Sequence, residues 1–455
     1  MRYRLAVLIA SALMLTACGN DIGERPAETS AAAVTGSVQT AGTSAQTTAK
    51  TTAVSETETE SIADTVTETE TGDDTVTETE KLTGTQADNG VSSEDASTGE
   101  DVPETSKAAE LLAKMSVREK VGQLFLLRPD GLLHDDANDH AVRQMTDDLA
   151  EVLGKYPIGG VIMMSVNVQD PGQLTALNKG LQDASSIPLF ICCDEEGGTV
   201  TRIAGKPGFD VRTFSSMSSV AGESGSEGAY EVGNTVGAYL KEYGFNLDLA
   251  PVADVNTNPF NIVIGSRAFG SDPGLAADCV SRYIDGLHEN GIMSCLKHFP
   301  GHGDTLADTH IGMAKTEKTW DEIRKCELIP FVQSLDKTDM VMAAHISLPK
   351  VTGEDIPATL SEEILTGKLR DELGYEGVII TDSLAMKAID SYYTPEEACV
   401  ASVIAGSDIL LSPYKPWECF EEVVSAVNDG RITVQRLDES VMRILSLKEK
   451  HGLLG

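Results

Sequence analysis

The sequence predicts an α/β protein, a single (β/α)8 TIM-type barrel preceded by a disordered Thr/Ser/Glu-rich stalk. Three observations predict it. Between about residues 107 and 455, eight short apolar runs alternate with longer amphipathic ones, the pattern of strands joined by helices. Polar clusters follow most of those runs, and in such a barrel the strand ends converge on one face. Ahead of this region, residues 19–105 consist almost wholly of Thr, Ser, Ala, Glu and Asp. A segment of that composition buries too little apolar area to offset its backbone entropy.

Residues 1–18 read as a leader: Arg2 and Arg4 precede an apolar run from Leu5 to Leu15, and Leu15-Thr16-Ala17-Cys18 closes it. The run is too short for a permanent membrane span. The small residues before Cys18 resemble a bacterial lipobox, which implies lipidation at Cys18; an ordinary secretory signal cleaved nearby is the alternative. In residues 19–105 the hexapeptide at 65–70 returns at 75–80, and 19 acidic residues face three basic ones. A flexible chain of this length spans roughly 50 Å root-mean-square. Lipid anchor and stalk together predict a head held off the outer face of a bacterial cell membrane.

The folded part is expected over 106–455. Ser116-Val117-Arg118-Glu119 has capping-box spacing and opens a helix. Strands are expected at 121–127, 160–164, 188–192, 245–250, 292–296, 340–344, 377–381 and 408–411. Helices are expected at 171–184, 228–243, 274–289, 361–373, 395–405 and 417–428. No G-x-G-x-x-G follows a first strand, which speaks against a doubly wound nucleotide-binding sheet. The net charge of −36 disfavours nucleic acid as a partner. Seven cysteines remain after Cys18; they match no zinc spacing and mostly sit in apolar segments, so buried free thiols are expected. The expected state is a monomer without cofactor.

The chemistry concentrates in KHFPGHGDTLADTH at 297–310, which holds three of the eight histidines, two aspartates and a lysine. Titratable groups this dense are costly unless solvated or paired. Asp308 stands two residues before His310, a spacing at which a carboxylate can orient the ring and raise its pKa toward acid–base work. Lys297 and His298 follow the fifth strand; if the strand continued through them, alternation would point them apart, but the turn at Pro300-Gly301 allows both to reach one hydroxyl. Asp382 ends the apolar run 377–381, where it reads either as a nucleophile at the barrel mouth or as a helix N-cap. Asp194 and Arg202 flank the Gly197-Gly198 turn and read as hydroxyl acceptor and cationic donor, or as an exposed ion pair worth little. Arg267 is a further candidate clamp.

His298, His302, Asp304, Asp308 and His310 also form a donor set for a metal. Against that reading, the chain has no HExxH helix and no H-x-H after an early strand, and Lys297 beside His298 would repel a cation. The expectation is no metal. A non-catalytic glycan-binding surface protein is a third reading of the same clefts.

The segment 297–310 resembles the signature of the β-N-acetylglucosaminidase branch of glycoside hydrolase family 3. DEEGGTVTRI, FNLDLAPVADVN, IGSRAFGSDP and VIITDSLAM are similar to further blocks of that family, in the same order, over about 107–455. The resemblance implies a catalytic barrel at 106–455, with Asp382 as nucleophile, His310 as acid/base and Asp308 as its partner. It implies that Asp194, Arg202, Arg267, Lys297 and His298 bind a terminal N-acetylglucosamine. Thr199 stands where the family often has an arginine. The implied activity is retaining removal of terminal β-linked N-acetylglucosamine from wall fragments or related glycans. Alternatives are another β-glycosidase of the family, such as a β-glucosidase, or a phosphorylase, since a neutral base repels anionic phosphate less than a carboxylate would.

Overall fold

The computed structural model describes residues 106–134, 141–305 and 313–455. The leader with Cys18, the stalk, Asp308 and His310 lie outside the described residues. Eight strands carry the sequence-predicted positions: β1 Phe125–Leu127, β2 Gly160–Ile162, β3 Phe190–Cys193, β4 Leu247–Asp248, β5 Cys295–Phe299, β7 Met340–Ala343, β9 Val378–Thr381 and β10 Leu410–Leu411. Two further short strands, β6 Ala314–Lys315 and β8 Ile346–Ser347, pair with each other.

All the pairings among the eight are parallel. One sheet runs β10-β1-β2-β3-β4 and another β5-β7-β9. Single parallel bridges continue the order: Leu247 with Met293 and Val252 with Lys297 beside β4 and β5, and Ile380 with Ile409 beside β9 and β10. Register follows from direct pairs such as Leu126 with Gly160 and Val161 with Ile191. The strands read as continuous apolar runs because both faces are covered, as parallel sheets require; all three or four residues of β1, β2, β3, β7 and β9 are buried.

The connecting helices follow local signals. Ser116 Oγ accepts from the Glu119 N–H while the Glu119 carboxylate accepts from the Ser116 N–H, so the capping box forms. Asp170 and Asp272 cap Pro171–Ala184 and Pro273–Glu289, each with proline in the first turn. The first helix after the capping box runs Val117–Gln123, which corrects the strand expected from 121: residues 121–123 are its last turn, and β1 begins at Phe125. The helix expected at 228–243 extends back to Met217, broken at Gly225 with φ 59°. Asp147–Lys155 and Val434–Lys450 are helices without a counterpart in the sequence reading. Six of the seven described cysteines are buried and all seven are free; Cys326 is half-buried.

Candidate active site

Side chains at the C-terminal ends of the strands line a cavity of about 540 Å³. All six described candidates, Asp194, Arg202, Arg267, Lys297, His298 and Asp382, line it. Asp308 and His310 fall outside the described residues, so the proposed acid/base pair has no geometry here.

Lys297 lines the cavity between two carboxylates. It is 1% exposed and its Nζ donates to Asp194 Oδ1 at 2.8 Å and pairs with Glu196 Oε1 at 2.7 Å. Arg202 Nη2 donates to the other oxygen of Asp194 at 2.9 Å. Arg267 grips Glu196 in a fork, Nη2 to Oε1 at 2.7 Å and Nε to Oε2 at 2.8 Å. Asp194 and Arg202 are therefore not an exposed pair; they belong to a largely buried network of three cations and two carboxylates. Burial on its own would push both carboxyls up. Lys297 and Arg202 outweigh it at Asp194, and Lys297 and Arg267 hold Glu196 down at about 2. Burial lowers Lys297, yet Asp194 and Glu196 more than compensate and keep it above the ordinary lysine value.

The frame that presents these groups is also polar. Buried Glu195 accepts from the backbone N–H groups of Arg202, Ile203 and Ala204 at 2.5, 3.0 and 2.9 Å and from the Tyr239 hydroxyl at 2.8 Å. That carboxylate folds the 195–204 loop back on itself and so positions Arg202. Asp254, after β4, accepts from His302 N at 2.6 Å and pairs with His298 Nδ1 at 2.7 Å. Burial raises its carboxyl, but His298 and His302 bring it below the usual value. Because Asp254 takes Nδ1, Nε2 of His298 is the nitrogen available to the cavity. β5 changes register between Leu296 and Phe299, and both Lys297 and His298 line the cavity, contrary to simple strand alternation.

Asp382 follows β9. Its N–H donates to Ala343 O at 3.0 Å and its Oδ1 accepts from Ser383 N at 2.7 Å. The next helix, Lys387–Asp390, starts five residues later and has Met386 as its N-cap, so the N-cap reading does not hold. Burial pushes its carboxyl up, while His345, His298, the Ser383 N–H and Lys297 outweigh that and hold it below the ordinary value. His345 Nε2 lies 2.9 Å from the Ser383 carbonyl oxygen and must donate to it, which fixes the imidazole beside the aspartate. Burial keeps His345 below the usual histidine pKa. Of the donor set considered for a metal, His302 Nδ1 meets Thr305 Oγ1 at 2.7 Å and Asp304 pairs with Lys318 at 3.2 Å, while Asp308 and His310 lie outside the described residues.

Glu196, Asp254 and His345 were not among the sequence candidates for the site. Glu196 and Asp254 do lie inside DEEGG and PVADVN, and His345 directly follows the 340–344 run, so a signal existed. What no local pattern supplied was the pairing of Glu196 with Arg267, 71 residues away.

An arrangement of paired cations and acceptors beside an ionised carboxylate suits a polyhydroxylated ligand attacked by that carboxylate. Comparisons agree with this geometry. The chain is 33% identical over 336 residues to "Beta-hexosaminidase A" of Pseudoalteromonas piscicida, covering 68% of this chain and 56% of that one. A solved glycoside hydrolase family 3 beta-N-acetylglucosaminidase from Paenibacillus sp. str. FPU-7 superposes with a TM-score of 0.68 at 34% identity, covering 74% of this chain and 63% of that one. The solved beta-glucoside phosphorylase BglX superposes with a TM-score of 0.66 at 27% identity, over 76% and 60% of the two chains. The chain thus spans about three fifths of the length of each of these relatives. Residues 116–447 match the model of the glycosyl hydrolase family 3 N-terminal domain, and the chain belongs to that family.

Proposed function

We propose that the chain is a retaining exo-β-N-acetylglucosaminidase whose catalytic head, 106–455, is a single (β/α)8 barrel. The observation that carries the reading is Asp382: an ionised, rigidly held carboxylate at a strand end, lining a cavity that the Asp194–Lys297–Glu196–Arg267 network also lines. The carboxylate attacks the anomeric carbon as His310 protonates the departing oxygen, giving a glycosyl ester on Asp382. His310, oriented by Asp308, then deprotonates a water that displaces Asp382 and releases the sugar. Asp194, Arg202, Arg267, Lys297 and His298 hold the hydroxyls of the terminal residue. Support comes from the beta-hexosaminidase and beta-N-acetylglucosaminidase relatives and from the ring of parallel pairings.

The head acts as a monomer without cofactor, carried on the 19–105 stalk and anchored through Cys18 at the outer face of a bacterial membrane. Among the described residues no helix is long and apolar enough to cross a membrane, so the anchor rests on the 1–18 leader. A panel of aryl β-glycosides of N-acetylglucosamine, glucose and xylose tests the activity. Release from the first should dominate; preference for the glucoside would replace the reading by a β-glucosidase. The phosphorylase neighbour favours one further arm. Sugar 1-phosphate formed at millimolar phosphate would make the acceptor phosphate rather than water.

A further inference from the structure

His345, two residues after β7, is buried and does not line the cavity, yet both its ring nitrogens are engaged. Nε2 meets the Ser383 carbonyl oxygen at 2.9 Å and Nδ1 meets Thr359 Oγ1 at 2.8 Å. A carbonyl only accepts, so Nε2 carries a proton. The Thr359 hydroxyl has one proton and three acceptors in reach: Nδ1, Ala344 O at 2.8 Å and Ala343 O at 3.1 Å. Both carbonyls already accept an N–H, Ala344 O from Thr359 and Ala343 O from Asp382, whereas Nδ1 has no other donor among the described residues. The hydroxyl therefore donates to Nδ1, and a neutral imidazole with its proton on Nε2 satisfies every contact. Burial, which holds His345 below the usual histidine pKa, favours the same uncharged form.

We propose that His345 is the positioning residue of the nucleophile, clamping Ser383 so that one oxygen of Asp382 is tied and the other is left to attack. This role rests on the glycosidase reading and names the group on which its nucleophile depends. The clamp works through both polar ends of Ser383. Its carbonyl accepts from His345 Nε2 and from the Met386 N–H at 3.0 Å, and its N–H donates to Asp382 Oδ1 at 2.7 Å. Among the described residues no hydrogen bond reaches Asp382 Oδ2. The tie on Oδ1 sets the plane of the carboxylate, and Oδ2 keeps its lone pairs for the anomeric carbon. The Asp382 N–H donates to Ala343 O at 3.0 Å, which anchors the aspartate on β7, the strand that leads into His345. Thr359, in the single turn Ala358–Leu360, holds the imidazole in the tautomer that the clamp needs. A reacting group misplaced by about 1 Å can lose on the order of 10²-fold in rate, so freedom at Ser383 passes directly into the attack step. His345 does not line the cavity and exchanges no proton with the substrate, which separates it from the acid/base role given to His310.

The test uses the full chain in two pairs of variants: His345→Phe against His345→Gln, and Thr359→Val against Thr359→Ser. In each pair the first removes the hydrogen bond at similar volume and the second restores a donor. Two quantities are read. One is kcat/KM for an activated aryl N-acetyl-β-glucosaminide, which covers binding through the first bond cleavage; the other is the competitive inhibition constant of N-acetylglucosamine, which reports the sugar-binding network. His345→Phe should lower kcat/KM by about 10–100-fold and Thr359→Val by about 3–10-fold, with the inhibition constant within about twofold of the parent. His345→Gln and Thr359→Ser should recover most of the loss, which a role in packing alone would not allow. A kcat/KM within about twofold of the parent in both His345→Phe and Thr359→Val overturns the role. So does a loss that glutamine fails to mend, or one matched by an equal rise in the inhibition constant. If His345→Phe does not fold, the threonine pair decides by the same criteria. A parent chain that releases no aryl group strikes the glycosidase reading, and the role falls with it; release by the parent with unaltered variants strikes the role alone.

Discussion

At the scale of single residues, the proposed division of labour between Asp382 and His310 has a kinetic signature. A leaving group that is already a good one needs little protonation, so an acid matters less for it. His310→Ala should lose about 10²–10⁴-fold on a disaccharide and much less on an activated aryl N-acetyl-β-glucosaminide. Asp382→Ala removes the proposed nucleophile and should abolish turnover of both. Steady-state rates on the two substrates check this, and equal losses for both variants on the activated one would show the roles to be wrongly assigned. The candidates that sequence made legible were those whose neighbours in the chain hint at chemistry: Lys297 with His298, Asp194 before a double glycine, Asp382 after an apolar run. Glu196 was hidden because its function comes from partners on β5 and on the segment after β4, and the sequence shows it only as one of three consecutive acids. His345 was legible by position, directly after the sixth run, but its role was not: its ring meets the Ser383 carbonyl, a backbone group that no residue type advertises.

At the scale of elements, the site is assembled by loops packed closely enough that glycine is obligatory. A Cβ on Gly303 would lie 1.9 Å from the carbonyl oxygen of Val255, and Asn258 N donates to Gly303 O at 3.2 Å. The requirement is close approach of two backbones. Gly303→Ala should force the 300–305 segment away from 255–258, costing about 1–3 kcal/mol and reducing kcat/KM together with the urea midpoint. An unchanged midpoint with full activity would mean the two segments are not in that contact. The strands were legible because parallel strands buried on both faces read as unbroken apolar runs. Strand β1 was misplaced at its start because Val121 is apolar and buried at the end of a helix, where periodicity cannot separate it from a strand. The helix Val434–Lys450 has Leu437, Val441, Ile444 and Leu445 at helical spacing, so its signal was present; alternation of strand and helix gives no place to an element after the eighth unit.

At the scale of the whole molecule, that last helix ties the end of the chain to the side of the strands away from the cavity. Buried Asp339, directly before β7, accepts from Lys450 Nζ and pairs with His451 and His288 at 3.0, 2.9 and 2.7 Å. Lys448 goes deeper. It is fully buried, its Nζ donates to Gln123 Oε1 at 2.7 Å, and it stands 4.9 Å from the centre of the Phe190 ring at the start of β3. The ring favours the charged form, but burial dominates and pulls the ammonium down to about 7. An unfolded lysine titrates near ~10.4, so between pH 7 and 10 the unfolded chain binds the extra proton and stability rises with pH. Below about pH 7 both states are protonated, and the folded protein carries the full cost of a buried charge. Lys448→Met replaces the stem with an apolar chain of similar length and leaves Gln123 Oε1 without its donor, a loss of about 1–3 kcal/mol that does not vary with pH. The difference in urea midpoint between parent and variant should therefore shift in the parent's favour from pH 6 to pH 9. The parent gains across that window while the variant lacks this titration. A difference independent of pH would mean that Lys448 keeps its proton throughout and that its burial is compensated in the folded state.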